Sequence, residues 1–447
     1  ELYCEELFMK NKQNCLKKRN TLKLLEKSPA RLYCEWCTFA LILLMLLMLS
    51  THGDLWSHFF FLDYRDTGMD FFHSIEYVKN REPYRQLGTL YPPLANILFY
   101  ILYRMIPLSV SCRWEDDFSA SVNARGTDID LRTFQAPMLL YLFFLGFIVL
   151  AFCWYIESLN IDISLSAKKW LSTCCVFSYG YMYSIERGNI IILVLLLSLV
   201  FVRFRNHKNA AVRELSYLAL AFAAGIKLYP AFLGILLIRD KNWKAAARTI
   251  GYGILSLLLP FFFFKEGLGG FPIWFKVVLS FGGSSINYVS VNGTGFINVL
   301  AHVLKYLGHI TISSSSILTK LNYLVAVLLL IGALLEKREW RALLDIVLAI
   351  ILYQDQGKYI YCFILIPFLA FLCEQTVQKV GLMKKTDQIT FGGMVLLLAP
   401  LPYLYTSRFD MFNCVSQLVL IIFMLQKVTE IVFEKYMVDE YNERERT

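Results

Sequence analysis

Apolar runs recur along this entire chain, at residues 36–51, 92–108, 133–157, 168–185, 189–202, 214–238, 244–264, 317–335, 342–353, 359–373, 391–405 and 411–433. Most are long enough to approach or cross about 30 Å of hydrocarbon as a helix. This recurrence limits the fold more than any single motif does. With 57% hydrophobic and only 18% charged residues, and a mean hydropathy of +0.50, the chain is too apolar for a soluble globule. The expectation is an all-α polytopic membrane protein, a bundle of roughly 11–13 transmembrane helices. No hydrophilic block is large enough for a second domain, so residues 36–434 read as one membrane domain. A basic segment, 1–35, precedes it and a tail, 435–447, follows.

The net charge of +9 does not point to nucleic acid, because the basic residues sit in short clusters between apolar runs with no continuous basic face. Positive-inside bias accounts for them. Residues Lys10 to Arg31 before the first run, the turns 203–205, 239–244 and 337–341, and Lys379, Lys384 and Lys385 are expected on the cytoplasmic side. Residues 109–202 leave the parity of the thread open, with Glu186-Arg-Gly-Asn189 fitting either two full spans or a re-entrant pair. The first apolar run follows a polar stretch and has no small-residue cleavage site, so it reads as a retained anchor. Eleven cysteines with one lone Cys34-Glu-Trp-Cys37 give neither a disulfide framework nor paired metal spacing.

This orientation puts residues 52–91 and 265–316 on the extracytoplasmic side, where together they are expected to cap a cavity at membrane level. The first of them holds Asp63, Asp66 and Asp70 among aromatics. Carboxylates at a bilayer edge cost free energy unless hydrated, paired or used. Over Thr67 to Asn80 the spacing predicts an interfacial helix. Phe71, Phe72, Ile75 and Val78 form its apolar stripe, and Asp66, Asp70, His73 and Tyr77 the opposite face. Such a helix would lie on the lipid, apolar face down.

Each carboxylate also has an ordinary reading. Asp66, just ahead of the helix, suits an N-cap. Asp63 suits a loop residue paired with Arg65 or Arg104. Asp70, inside the helix, is not that cap; the ordinary alternative for it is a solvated face. It is the candidate general base, with Asp66 the nearest rival.

No GxxxxGK[ST], GxGxxG or HExxH pattern is present, so nucleotide and zinc-hydrolase chemistry lack their usual frames. A lipid-linked phosphate donor needs neither. A carboxylate taking the proton from an acceptor hydroxyl, as that hydroxyl attacks a sugar carbon, is the general-base half of inverting glycosyl chemistry. The leaving phosphate then needs cations or donors. Lys227 in Ala-Gly-Ile-Lys-Leu-Tyr-Pro230, Lys358 and Tyr361 in Gln354-Asp-Gln-Gly-Lys-Tyr-Ile-Tyr361, and Arg187 are the candidates for that phosphate. Asn189, His73 and Tyr91 are candidates for other substrate contacts. The ordinary readings are snorkelling for Lys227, a positive flank for Lys358, a local Glu186–Arg187 pair and a bystander role for His73. The expectation is no metal and no cofactor, although clustered carboxylates keep Mg²⁺ or Mn²⁺ open.

Asp70, Pro83-Tyr84, Tyr91-Pro-Pro-Leu94, Arg187-Gly-Asn189, Gly225-Ile-Lys-Leu-Tyr-Pro230 and Tyr359 to Pro367 occur in an order that resembles the GT-C glycosyltransferases. The branch they are most similar to is glycosyltransferase family 87 (DUF2029), the polyprenyl-phosphate-mannose-dependent alpha-mannosyltransferases. The likeness runs over about residues 54–370. It implies a GT-C-like bundle with extracytoplasmic interfacial helices, a polyprenyl-phosphate sugar donor, a glycan or glycolipid acceptor, and inversion at the anomeric carbon. It also implies a catalytic aspartate in the first outer loop, which falls on Asp70. Family members often carry Gly-Gln-Asn where this chain has Arg187-Gly-Asn189, and Ser-Trp then His-His where it has Gln356 to Tyr361. Lys358 or Tyr361 would stand in for histidine, and the sugar is mannose or another hexose or pentose. The competing functions are a flippase for a lipid-linked glycan and a non-catalytic membrane scaffold.

Overall fold

The computed structural model describes residues 27–59, 67–85, 88–111, 131–284, 294–300, 304, 316–353, 356–375, 380–404 and 410–444. Among these residues the regular structure is all helical, with no strand. The helices used below are α1 Pro29–Ser50, α2 Met69–Val78, α3 Pro93–Arg104, α4 Gln135–Glu157, α5 Leu165–Val176, α6 Tyr179–Arg187, α7 Ile191–Phe204 and α8 Ala210–Ile226. They continue with α9 Ile235–Arg239, α10 Trp243–Leu258, α11 Gly270–Ser284, α12 Ser316–Leu335, α13 Glu339–Leu352, α14 Leu365–Glu374, α15 Lys385–Leu398 and α16 Met411–Arg444. Most of the expected 435–447 tail continues the last helix.

Among the described residues four segments are long and apolar enough to cross a membrane: α1, α4, α10 with its 3-10 extension to Phe263, and Met411–Glu430 of α16. This is the architecture of an all-α polytopic membrane protein. The other apolar runs do not each become one unbroken span. Run 168–185 divides into α5 and α6 at Phe177-Ser178, run 214–238 breaks at Lys227, and run 359–373 begins as a 3-10 turn, Lys358–Ile364. Run 391–405 stops being helical at Leu398, just before Pro400 and Pro402, where proline has no amide to continue the ladder. Helix α13 is buried at every position from Ala342 to Leu352. A helix buried on all sides belongs to the core of a bundle.

Local sequence sets the helix starts. Ser28 accepts the Arg31 amide ahead of α1, which has proline in its first turn. Asn209 accepts the Ala211 and Val212 amides at α8, and Asn242 the Ala245 amide at α10. Each such cap stabilises its helix by about 1 kcal/mol. Aromatic packing then fixes α2. Phe71 lies 6.2 Å from Phe99 of α3 and 5.2 Å from Tyr141 of α4, centroid to centroid.

The predicted stripe of α2 is therefore correct: Phe71, Phe72, Ile75 and Val78 are all buried. Its partner differs from the expectation of lipid, because aromatic rings of α3 and α4 cover Phe71 and Phe72. The opposite face, Asp70, His73 and Tyr77, is only half-buried.

The described parts of the two expected outer stretches meet. The Arg81 guanidinium donates to the Phe263 carbonyl, Lys265 N–H donates to the Arg81 carbonyl at 3.1 Å, and the Trp274 indole donates to the Leu90 carbonyl at 3.2 Å. At the other end of the bundle the three basic turns converge. Arg205 reaches Asp240 and Glu339, each at 3.1 Å, and Arg239 donates to the Glu336 and Lys337 carbonyls.

Candidate functional site

The site is built where α2 begins and α6 ends. Helix α6 closes in a turn in which Gly188 N–H donates to the Ile185 carbonyl and Asn189 N–H to the Ser184 carbonyl. This is the Schellman pattern, with the left-handed residue at Gly188, φ +66°. A Cβ there would stand 2.9 Å from both Phe71 Cβ and Tyr141 Cε2, so glycine is demanded by conformation and by space. Gly68 N–H donates to the Glu186 carbonyl at 2.7 Å, tying the start of α2 onto this turn.

That tie presents Asp70 to both residues flanking Gly188. Arg187 Nη2 donates to Asp70 Oδ1 at 2.6 Å and Asn189 Nδ2 to Asp70 Oδ2 at 2.7 Å. Asn189 Oδ1 meanwhile accepts the Ile191 amide at 3.0 Å, at the first turn of α7. The amide orientation follows from chemistry, since an ionised carboxylate only accepts. An acidic residue in the first turn of a helix is stabilising on its own. This ordinary role does not account for two donors 117 and 119 residues away that converge on one carboxylate. The Asp70 side chain keeps 20% exposure. Each oxygen spends one of its lone-pair directions on these two donors.

Lys227 comes from the break after α8, in extended backbone. Its ammonium lies 4.7 Å from the Tyr359 ring centroid and 5.2 Å from that of Tyr91, and it feels the Asp70 charge. It is thus set against ring faces inside the protein, whereas snorkelling would take it to an interface. Among the described residues it forms no ion pair. Tyr77, on the α2 face that carries Asp70, is pushed up to about 12, by burial first and then by the charges of Glu76 and Asp70. It keeps its proton at neutral pH and is no base.

The structure thus joins Asp70, Arg187 and Asn189 by direct bonds and places Lys227 with Tyr91 beside them. His73 lies one turn along α2, half-buried. Arg187 pairs with Asp70, while Glu186 accepts the Thr67 hydroxyl at 2.8 Å, in place of the local Glu186–Arg187 pair. Asp63 and Asp66 lie outside the described residues.

Lys358 and Tyr361 are engaged elsewhere. Lys358 forms a buried ion pair with Asp410 at 2.8 Å, and the Tyr361 hydroxyl donates to Ser416 Oγ at 2.9 Å. The reason is the 3-10 turn that carries them, in which residues three apart align. Residues 358 and 361 face the start of α16, and Tyr359 turns to Lys227. A motif read as a string had no means of choosing Tyr359 over its neighbours. Close packing of that turn onto α6 requires Gly180, where a Cβ would come 2.6 Å from the Cys362 amide nitrogen.

The model of glycosyltransferase family 87 matches residues 90–353, more than half of the chain. The chain belongs to that family. It is a glycosyltransferase of the membrane. No curated protein matches it, and no solved structure does. The match contains Tyr91, Arg187, Asn189 and Lys227 and stops short of Asp70 on one side and Lys358 on the other. Asp70 enters through its bonds to Arg187 and Asn189, from a helix outside the matched segment.

Proposed function

We propose that this glycosyltransferase moves a sugar, with inversion, from a polyprenyl-phosphate donor to a glycan or glycolipid acceptor on the extracytoplasmic face, with Asp70 as general base. The carboxylate takes the proton of the acceptor hydroxyl. That oxygen forms the new bond to the anomeric carbon, and the bond from that carbon to the phosphate oxygen breaks. The lipid phosphate leaves with the electron pair, and the Lys227 ammonium meets its charge.

The observation that carries this reading is the Asp70 cluster itself. Arg187 and Asn189 bond to both carboxylate oxygens at 2.6 and 2.7 Å, fixing their direction, while the side chain stays accessible. Among the described residues Lys227 stands nearby without a carboxylate of its own, the state expected of a cation reserved for an anionic ligand. Family membership favours transfer over the flippase and scaffold alternatives.

The test is single-turnover transfer from a polyprenyl-phosphate sugar in nanodiscs. Removing a general base lowers the rate by about 10²–10⁴-fold, so Asp70→Asn is expected to fall in that range at unchanged thermal stability. Transfer by Asp70→Asn at the wild-type rate would overturn the assignment.

A further inference from the structure

A second site stands at the end of the bundle opposite Asp70. Helix α7 starts at Ile191, two residues past the Asn189 that bonds Asp70, and ends at Phe204, about 20 Å further along. There a cavity of about 400 Å³ opens between α4, α7, α13 and α14. Leu199, Ile366 and Leu369 form its apolar wall, and Arg203, Arg205 and Cys373 stand among its polar or reactive lining.

The two arginines differ. Arg205 is buried and saturated, with Asp240, Glu339 and the Val202 carbonyl on its guanidinium. Among the described residues Arg203 bonds only neutral oxygens, the hydroxyl and carbonyl of Ser158, and lies 5.5 Å from the Tyr155 ring centroid. Lys168, at the start of α5, likewise donates to the Leu159 carbonyl at 2.6 Å. The charges of both Arg203 and Lys168 reach Cys373 in the cavity wall. Among the described residues neither cation is in an ion pair with a carboxylate, although the acidic lining residues Glu339 and Glu374 are matched by Arg205 and Arg338.

Trp154, close to the end of α4, is 75% exposed. Tryptophan on an apolar outer surface marks the level of the lipid headgroups. Arg203 in the lining, and Lys168 bonded to the lining residue Leu159, stand at headgroup level beside a cavity with one apolar wall, an arrangement suited to an anion with an attached hydrocarbon chain. We infer that this cavity binds an anionic phospholipid of the leaflet opposite Asp70, its phosphate between Arg203 and Lys168 and an acyl chain along Leu199, Ile366 and Leu369.

The test uses the delipidated full chain in detergent, titrated with phosphatidylglycerol, phosphatidylcholine or inorganic phosphate. Binding is followed by native mass spectrometry and by maleimide labelling of Cys373, located by peptide mapping. Phosphatidylglycerol is expected to bind more tightly than phosphatidylcholine and to protect Cys373, and inorganic phosphate is expected not to protect it. Arg203→Gln and Lys168→Gln are each expected to weaken phosphatidylglycerol binding roughly fivefold, while Arg203→Lys retains it and basal transfer is unchanged in all three. Equal binding of the two lipids, full protection by inorganic phosphate, or wild-type affinity in the double Gln variant would each overturn the inference.

Discussion

The two ends of the bundle treat charge in opposite ways. At the end where α7 terminates, cations and carboxylates close on one another. Arg338 and Arg341 share Asp387 at 2.5 Å each, with Glu374 and Glu430 as further partners, and Lys427 joins Asp345 at 2.7 Å and Glu336 at 3.2 Å. At the Asp70 end Arg187 pairs with Asp70 and Lys358 with Asp410, but among the described residues Lys227 faces rings and no carboxylate. Charge that is fully matched holds helices in place and has nothing left to offer a ligand. Charge that is oriented and incompletely matched is suited to chemistry, because a substrate supplies the missing partner. Arg203 and Lys168 show the second condition within the first end, which is why the lipid inference falls there.

The comparison can be broken by measuring rate and stability on the same variants. The largest contrast sets Asp70→Asn, with its loss of transfer at unchanged stability, against Asp387→Asn. Breaking a buried ion pair costs about 3–5 kcal/mol; retained Glu374 and Glu430 place Asp387→Asn near the lower limit. Its thermal unfolding in nanodiscs should fall accordingly while the folded fraction still transfers sugar. Next comes Lys227→Met, which is expected to lower transfer about 10²–10³-fold, the scale of removing one donor to developing charge. Its melting temperature should hold or rise, since a desolvated ammonium is removed. If it unfolds instead and transfers normally, Lys227 is structural and the two ends do not differ.

Gly188→Ala sharpens the comparison from the backbone side. The left-handed φ and the 2.9 Å approaches to Phe71 and Tyr141 predict a stability loss of about 1–3 kcal/mol. Transfer should fall with it, because Arg187 and Asn189 shift relative to Asp70. The smallest effect belongs to Arg248→Gln, whose half-exposed pair with Glu214 at 2.7 Å is worth about 0–1 kcal/mol. Unchanged transfer and melting there set the baseline for the other variants.

Much of the site was legible as residues and little of it as contacts. Periodicity of 3.6 was enough to put Asp70, His73 and Tyr77 on one face of α2, since a helix repeats whatever surrounds it. The same reasoning expected lipid under Phe71 and Phe72, because amphipathicity states that a face is covered and not by what. Lys227 stood out in an apolar run for its cost. Lys358 stood out equally, and Asp410, which matches it, carried no signal because it is 52 positions away and follows two prolines. Tyr359 was hidden between more conspicuous neighbours until the 3-10 turn separated them.

Read alone, the sequence determined the class and the family. A density of apolar residues leaves a chain no folded state in water, and the order of short motifs survives without any coordinates. It also fixed which charges were costly enough to require a purpose. Only the tertiary structure decided which of those charges meet, dividing them into closed pairs, Asp70 bonded at both oxygens, and Lys227 set against rings. That division depends on separations of a few ångströms between residues more than a hundred positions apart, and a Coulomb or hydrogen-bond interaction depends on distance in space, which the order of residues does not record.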